Sequence, residues 1–262
     1  MKARTIILFL IFNTTAVALA QEPSELNKTD QMGRKQGHWI RKYPDGSVMY
    51  DGNFVDNHPV GLFTRYYDNN VKMSVLVYSQ DGREADATTY HTNGYIASAG
   101  KYINQEKTGK WKFYSYYTEG YLLNEEEYTG NIRNGASIKY YPDGTVAEKQ
   151  NYVNGIRDGE WLQYHQDGKI FIRSTYSNGK LNGKFETWSD NGKLLISGFY
   201  KQNLREGKWL FYDNEGQIRF QPEYVAGLTM DKQAGIESTN LIDSLEKNSW
   251  KVEDPEKTGK IK

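Results

Sequence analysis

The side chains in this sequence that could carry chemistry are few. Four histidines, His38, His58, His91 and His165, and no cysteine are what the 262 residues offer to a transition metal. Zinc sites need ligands at short, repeated spacings. These four fall at different phases with no such spacing, so each reads as a strand or turn residue and no metal site is expected. Glu125, Glu126 and Glu127 form an acidic run that has the residue type for paired carboxylates. Neighbours on a strand point to opposite faces, so the simpler reading is a solvated strand. Gly179-Lys-Leu-Asn-Gly183-Lys lacks the spacing of a phosphate-cradling loop, and neither a Gly-x-Ser-x-Gly elbow nor a His-Glu-x-x-His pair occurs. Asp45, Asp143 and Asp167 each precede a glycine, where aspartate favours turns. The pattern points away from an enzyme and from any cofactor. What remains is aromatic chemistry: 21 Tyr and 6 Trp, side chains that pack sheets or offer a platform to sugars and to a partner's apolar groups.

The elements that carry these aromatics recur on a fixed beat. Gly37, Gly61, Gly109, Gly159, Gly183 and Gly207 precede an aromatic, and Ala85 and Gly135 complete the series at gaps of 24, 24, 24, 26, 24, 24 and 24 residues. Two residues after each anchor stand Trp39, Phe63, Ala87, Trp111, Ser137, Trp161, Phe185 and Trp209. Five after stand Lys42 (with Tyr43 beside it), Tyr66, Tyr90, Tyr114, Tyr140, Tyr164, Trp188 and Tyr212. Nine after comes a turn residue, glycine in most copies and Asn70 in the second, the residue that best tolerates positive φ after glycine. Seven before each next anchor comes Phe54, Tyr78, Tyr102, Tyr128, Tyr152, Tyr176 or Tyr200, with Tyr224 in phase at the end. Each copy thus holds two short extended runs with turn chemistry between them. In the sixth, one strand is expected over 160–165, a turn at 166–168 and the return strand over 169–176. Consecutive antiparallel hairpins follow, with loops too short for crossover helices. Eight copies give an all-β, elongated antiparallel sheet of about sixteen strands, a twisted open meander. Trp161 and Tyr164 lie three apart, so a flat strand cannot show both on one face, and a bulge or bend after the tryptophan is expected to reconcile them.

The ends break the pattern. Lys2 and Arg4, the apolar run from Ile6 to Phe12, and Ala18-Leu19-Ala20 read as a secretory signal over residues 1–20, cleaved after Ala20. The processed chain would hold 31 basic and 33 acidic residues, a formal charge of −2 that gives no sign of nucleic-acid binding. No later stretch is apolar enough for a membrane span. Location in the periplasm or outside the cell is expected. Residues 21–36 read as a polar, flexible lead-in, 37–230 as the repeat array, and 231–262 as a terminal cap helix with a charged tail. Ser238, Thr239 or Asn240 is expected to cap that helix, and Leu241, Ile242 and Leu245 to cover the last strand.

The unit Gly-x-Trp-x-x-Tyr-x-x-(Asp/Asn)-Gly, followed by a return strand and Tyr-x-Asn-Gly, resembles the bacterial MORN-repeat-variant family. It stands here as Gly159-Glu-Trp-Leu-Gln-Tyr-His-Gln-Asp-Gly168 with Tyr176-Ser-Asn-Gly179, and again from Gly207 to Gly216. The resemblance covers residues 37–227. It implies an extended sheet of hairpins, and members are often labelled antitoxins of the YwqK type; MORN repeats elsewhere serve protein scaffolding and membrane-surface binding. A signal sequence sits poorly with neutralising a cytoplasmic toxin. Ala87 and Ser137 depart from the motif aromatic, so the third and fifth copies are expected to be recessed. The expected role is an exported, non-catalytic scaffold or binder of another protein, with a cell-wall carbohydrate module and an antitoxin or immunity protein as the alternatives. Trp39, Phe63, Trp111, Trp161, Phe185, Trp209, Tyr128, Tyr152, Tyr176 and Tyr200 are expected to pack the sheet. In the adjacent pairs Tyr66-Tyr67, Tyr116-Tyr117 and Tyr140-Tyr141, one member of each should face outward as an interaction candidate.

Overall fold

Two kinds of turn, alternating along the chain, set the architecture. The computed structural model describes residues 26–248, so the expected signal over 1–20 and the charged tail over 251–262 lie outside the described residues. The first five strands are β1 (Lys28–Thr29), β2 (Lys35–Lys42), β3 (Val48–Val55), β4 (His58–Tyr66) and β5 (Lys72–Tyr78). Then come β6 (Glu84–Tyr90), β7 (Ile96–Ile103), β8 (Glu106–Tyr114), β9 (Leu122–Thr129) and β10 (Ile132–Tyr140). They continue as β11 (Val146–Val153), β12 (Ile156–Tyr164), β13 (Ile170–Ser177), β14 (Lys180–Leu181) and β15 (Gly183–Trp188). The series ends with β16 (Leu194–Lys201), β17 (Leu204–Tyr212), β18 (Ile218–Phe220), β19 (Glu223–Tyr224) and the helix α1 (Lys232–Asn248). Each strand pairs antiparallel with the next from β1 to β13. Beyond that, β13 pairs with both β14 and β15, β15 with β16, β16 with β17, and β17 with both β18 and β19. The nearly all-β, open antiparallel sheet is the one expected from the beat of the sequence, with 19 strands because β1 precedes the array and two of its strands are interrupted, as β14 and β15 and as β18 and β19.

The longer turn follows the position five after the anchor. At the first, the Tyr43 amide donates to Ser47 O at 2.8 Å and the Gly46 amide to Tyr43 O at 3.0 Å. Asp45 Oδ1 accepts from the Ser47 amide at 2.9 Å, and Asp143 and Asp167 do the same for Thr145 and Lys169. These aspartates are turn formers, and the Asx hydrogen bond is the reason. Asn70 takes the left-handed position in the second copy at φ 63°. The shorter turn joins one copy to the next through two residues with positive φ, as at Asn154 (49°) and Gly155 (80°), the I′ geometry that matches strand twist.

From the second copy on, the anchor glycines sit just after such a short turn in a bulge. Gly61, Gly109 and Gly207 have φ of 62°, 62° and 68°, and the register shifts beside them. The third copy explains its own exception. Between β5 and β6 a longer turn runs from Ser79 to Glu84 and the register continues without a shift, from Tyr78–Ala85 to Ser74–Thr89. With no bulge to make, position 85 carries alanine.

One face of this single layer is buried. Trp111 and Trp209 are 0% exposed, and Phe63, Phe185 and Ile172 are nearly so. Apart from α1 at one end, no second layer of described residues covers that face; the rings and aliphatic side chains of neighbouring strands bury one another there. Glu126, Ser137 and Gln150 form a polar strip between a cluster at Trp111 and a larger one at Trp209.

Both ends fold further than their composition suggested. Of the stretch read as a flexible lead-in, residues 26–36 are structured: β1 pairs with β2, and Arg34 is held by Asp30 at 2.6 Å and Asp56 at 3.0 Å. Helix α1 starts seven residues before Thr239. Asp231 Oδ1 accepts from the Ala234 amide at 2.9 Å and is the cap, while Ser238 and Thr239 lie inside and return their hydroxyls to Gly235 O. Ile242, 4% exposed, joins the Trp209 cluster.

Candidate binding site

A steric pairing at a spacing of 11 residues builds the buried face. From the second copy on, the residue two after each anchor lies across the residue 11 positions earlier, on the preceding return strand. A Cβ on Gly52 would stand 2.1 Å from the Phe63 ring, one on Gly100 2.3 Å from Trp111, and one on Gly198 2.2 Å from Trp209. Real atoms never approach that closely, so Phe63, Trp111 and Trp209 each demand glycine beneath them, whereas the half-buried Trp161 stands across from Gln150. The converse holds where the ring is missing. Ala87 pairs with Leu76, and Ser137 pairs with Glu126. Volume lost on one strand is returned by its neighbour.

In the third copy the return is incomplete and a cavity of about 550 Å³ opens on the buried face. Ser74, Ala85, Ala87, Thr89 and Ser98 make a floor of short side chains. Tyr78, Tyr102, Phe113 and Tyr128 stand as walls, and Arg65, Arg83 and Lys107 contribute positive charge. Lys107 Nζ lies 5.0 Å from the Trp111 and Phe113 ring centres and 5.1 Å from that of Tyr128. Burial raises the Tyr78 and Tyr102 hydroxyls above the usual phenol range, with Arg65 opposing it at Tyr78, so both are protonated donors at neutral pH. The lone lining carboxylate, Glu126, is already engaged by the Tyr128 hydroxyl and lies 3.5 Å from Arg133.

The motif aromatics named from sequence face this interior. Phe63, Trp111, Phe185, Trp209, Tyr128, Tyr152 and Tyr200 are buried, and Trp39, Trp161 and Tyr176 are half-buried. Trp161 and Tyr164 occupy opposite faces. The register slips between Gln163 and Tyr164 because β13 carries the extra residue, Phe171, so β12 keeps its alternation. Lys149 pairs with Leu162 and lies 5.7 Å from the Tyr164 ring, which places that ring on the outer side.

The residue six after the anchor makes a second, unforeseen ladder. Tyr43 donates its hydroxyl to Tyr66 O at 2.8 Å, Tyr67 to Tyr90 O at 2.8 Å and Tyr141 to Tyr164 O at 2.6 Å. His91 and His165 place Nε2 3.1 Å from Tyr114 O and 3.0 Å from Trp188 O. In the lengthened fourth copy Tyr121 takes the role, donating to Tyr140 O at 2.9 Å. Each rung ties one hairpin to the next. Of the six outward candidates, Tyr117 is 76% exposed and Tyr116 37%, Tyr66, Tyr67 and Tyr140 are half-buried, and Tyr141 is 6% exposed. Replacing Tyr141 by Phe removes the donor from the part-buried Tyr164 carbonyl and is expected to lower stability by about 1 kcal/mol. Urea titration checks this; a change within error would show that the rung contributes nothing.

The remaining acidic groups are structural. Glu125 lies 3.4 Å from both Lys110 and Lys112 on the opposite face from Glu126. Glu148 sits inside the polar strip, 3.0 Å from Lys139 Nζ, and accepts from Gln163 Nε2 at 3.0 Å and Trp161 Nε1 at 3.3 Å. Burial pushes its carboxyl up, but Lys139 and these hydrogen bonds outweigh burial and hold it below the usual range. A depressed carboxyl stabilises the fold above its unfolded value, and the contribution is lost as pH falls through the folded value. Replacing Lys139 by Met is therefore expected to move the midpoint of acid unfolding to higher pH, followed by circular dichroism. An unchanged midpoint would contradict the assignment.

A family model described as MORN repeat variant matches residues 133–154, 157–178, 181–202 and 205–225. Each match begins two residues before an anchor glycine and spans the motif strand, its turn and the return strand. No curated protein matches the chain. Among 64 solved chains that do, the crystal structure of TcdB2-TccC3 has 11% identity and a TM-score of 0.22, with 78% of this chain and 15% of that one covered.

Proposed function

We propose that this repeat protein is exported, has no catalytic activity, and presents one long surface to another protein in the cell envelope. Four repeats that match the MORN repeat variant model support a binding or scaffolding role. The observation that carries the reading is an apolar ridge along the short-turn edge. Ile132, Ile156 and Leu204 are 48–50% exposed, each resting on the turn glycine of the following copy, Gly155, Gly179 and Gly227. Val153, Val225 and Leu228 extend it at 46%, 70% and 78% exposure. A row of aliphatic side chains in register, bordered by polar turns, is what a protein partner buries. The motif aromatics, packed inside, serve the core.

Crosslinking in the native envelope, with mass spectrometry of the captured complex, tests the proposal. The wild-type chain should capture a partner that Ile132→Lys/Ile156→Lys/Leu204→Lys loses while keeping its circular dichroism. The processed form should begin at Gln21. Tight binding of peptidoglycan fragments in calorimetry, with capture indifferent to the ridge, would overturn it.

A further inference from the structure

We infer that the cavity in the third repeat is a binding site for a small amphipathic carboxylate, an apolar body carrying one anionic group. The inference is independent of the ridge, which lies on the turn edge and contributes nothing to the lining. Three features define the ligand. The volume, about 550 Å³, falls within the range of about 300–1,000 Å³ of small-molecule sites. Tyr78, Tyr102, Phe113 and Tyr128 line it beside Leu76 and the short side chains of Ala85 and Ala87, so the body it accepts is apolar. The charge of the lining is net positive: Arg65, Arg83 (whose Nε lies 3.8 Å from Asp81 outside the lining) and Lys107 contribute to it, whereas its one carboxylate, Glu126, is taken by Tyr128 and Arg133. Among the described residues Arg65 has no carboxylate within ion-pair distance, its guanidinium lying 5.8 Å from the Phe63 ring. Protonated Tyr78 and Tyr102 add hydroxyl donors beside those cations. A cationic ligand meets repulsion there, and a neutral one forgoes the charge-assisted hydrogen bonds.

The test uses the full chain and three probes with one body: 4-phenylbutyrate, its amide, and 4-phenylbutylammonium, titrated calorimetrically. The carboxylate is expected to bind about tenfold or more tightly than the amide, and the ammonium to bind least. Arg65→Gln/Arg83→Gln should erase that preference while the amide binds as before. Leu76→Gly/Ala87→Trp rebuilds the regular ring-over-glycine pairing inside the cavity and should abolish binding of all three, with the sheet retained by circular dichroism. Absence of carboxylate binding, equal binding of the three probes, or undiminished binding by the folded Leu76→Gly/Ala87→Trp chain would each overturn the inference.

Discussion

Trp209→Ala is expected to lower stability by about 3–5 kcal/mol, as for the complete removal of a buried tryptophan. The ring is fully buried and packs against Phe185, Tyr200, Phe211 and Tyr224 at 4.9–6.4 Å, with its indole N–H given to Phe199 O at 3.2 Å. Removing it opens the cluster on which α1 rests. In a repeat array each unit contacts only its neighbours, so the loss should stay local. Urea unfolding of the variant is expected to split into two steps, the first releasing α1 and the last three copies. A single transition at the wild-type midpoint would contradict the packing.

Gly100→Ala should be almost as damaging despite adding a single methyl group. Its Cβ would lie 2.3 Å from the Trp111 ring, which is 0% exposed and hydrogen-bonded to Lys101 O at 3.2 Å, so the indole must leave its site. A loss of about 3 kcal/mol or more is expected, the overpacking term plus part of the tryptophan's burial. Gly46→Ala provides the contrast. No atom lies within 4 Å of its Cβ, and only the positive φ of 91° opposes the change, at about 1–2 kcal/mol. Thermal melts of the two variants separate steric from backbone effects; equal losses would sink the distinction.

The hairpins were legible because glycine and aromatics at a fixed spacing are direct signatures of turns and sheet faces. The lone alanine anchor was visible too, but its reason was not: Ala85 needs no positive φ because the turn over 79–84 removes the bulge. The carbonyl ladder left a trace in Tyr43, Tyr67, His91, Tyr141 and His165, all six residues after an anchor. Adjacent tyrosines suggest one ring in and one out, and only the turn geometry shows the second hydroxyl reaching back to the neighbouring hairpin. The cavity was harder to see. Leu76 and Ala87 are unremarkable singly, and the space between them depends on how far leucine fails to replace an indole. The helix start was misplaced for a simpler reason. Ser238 and Thr239 have cap-forming side chains, but Asp231 accepts from the free Ala234 amide in the first turn.

The ring-over-small-residue pairing is the claim on which core, cavity and local stability all rest. A double-mutant cycle at Leu76 and Ala87 tests it most directly, by urea unfolding of the wild type, Leu76→Gly, Ala87→Trp and the pair. Each single change should destabilise, one by leaving a void and the other by a clash, while the pair recovers most of the loss with a coupling of about 2–3 kcal/mol. Additive losses within about 0.5 kcal/mol would contradict the pairing.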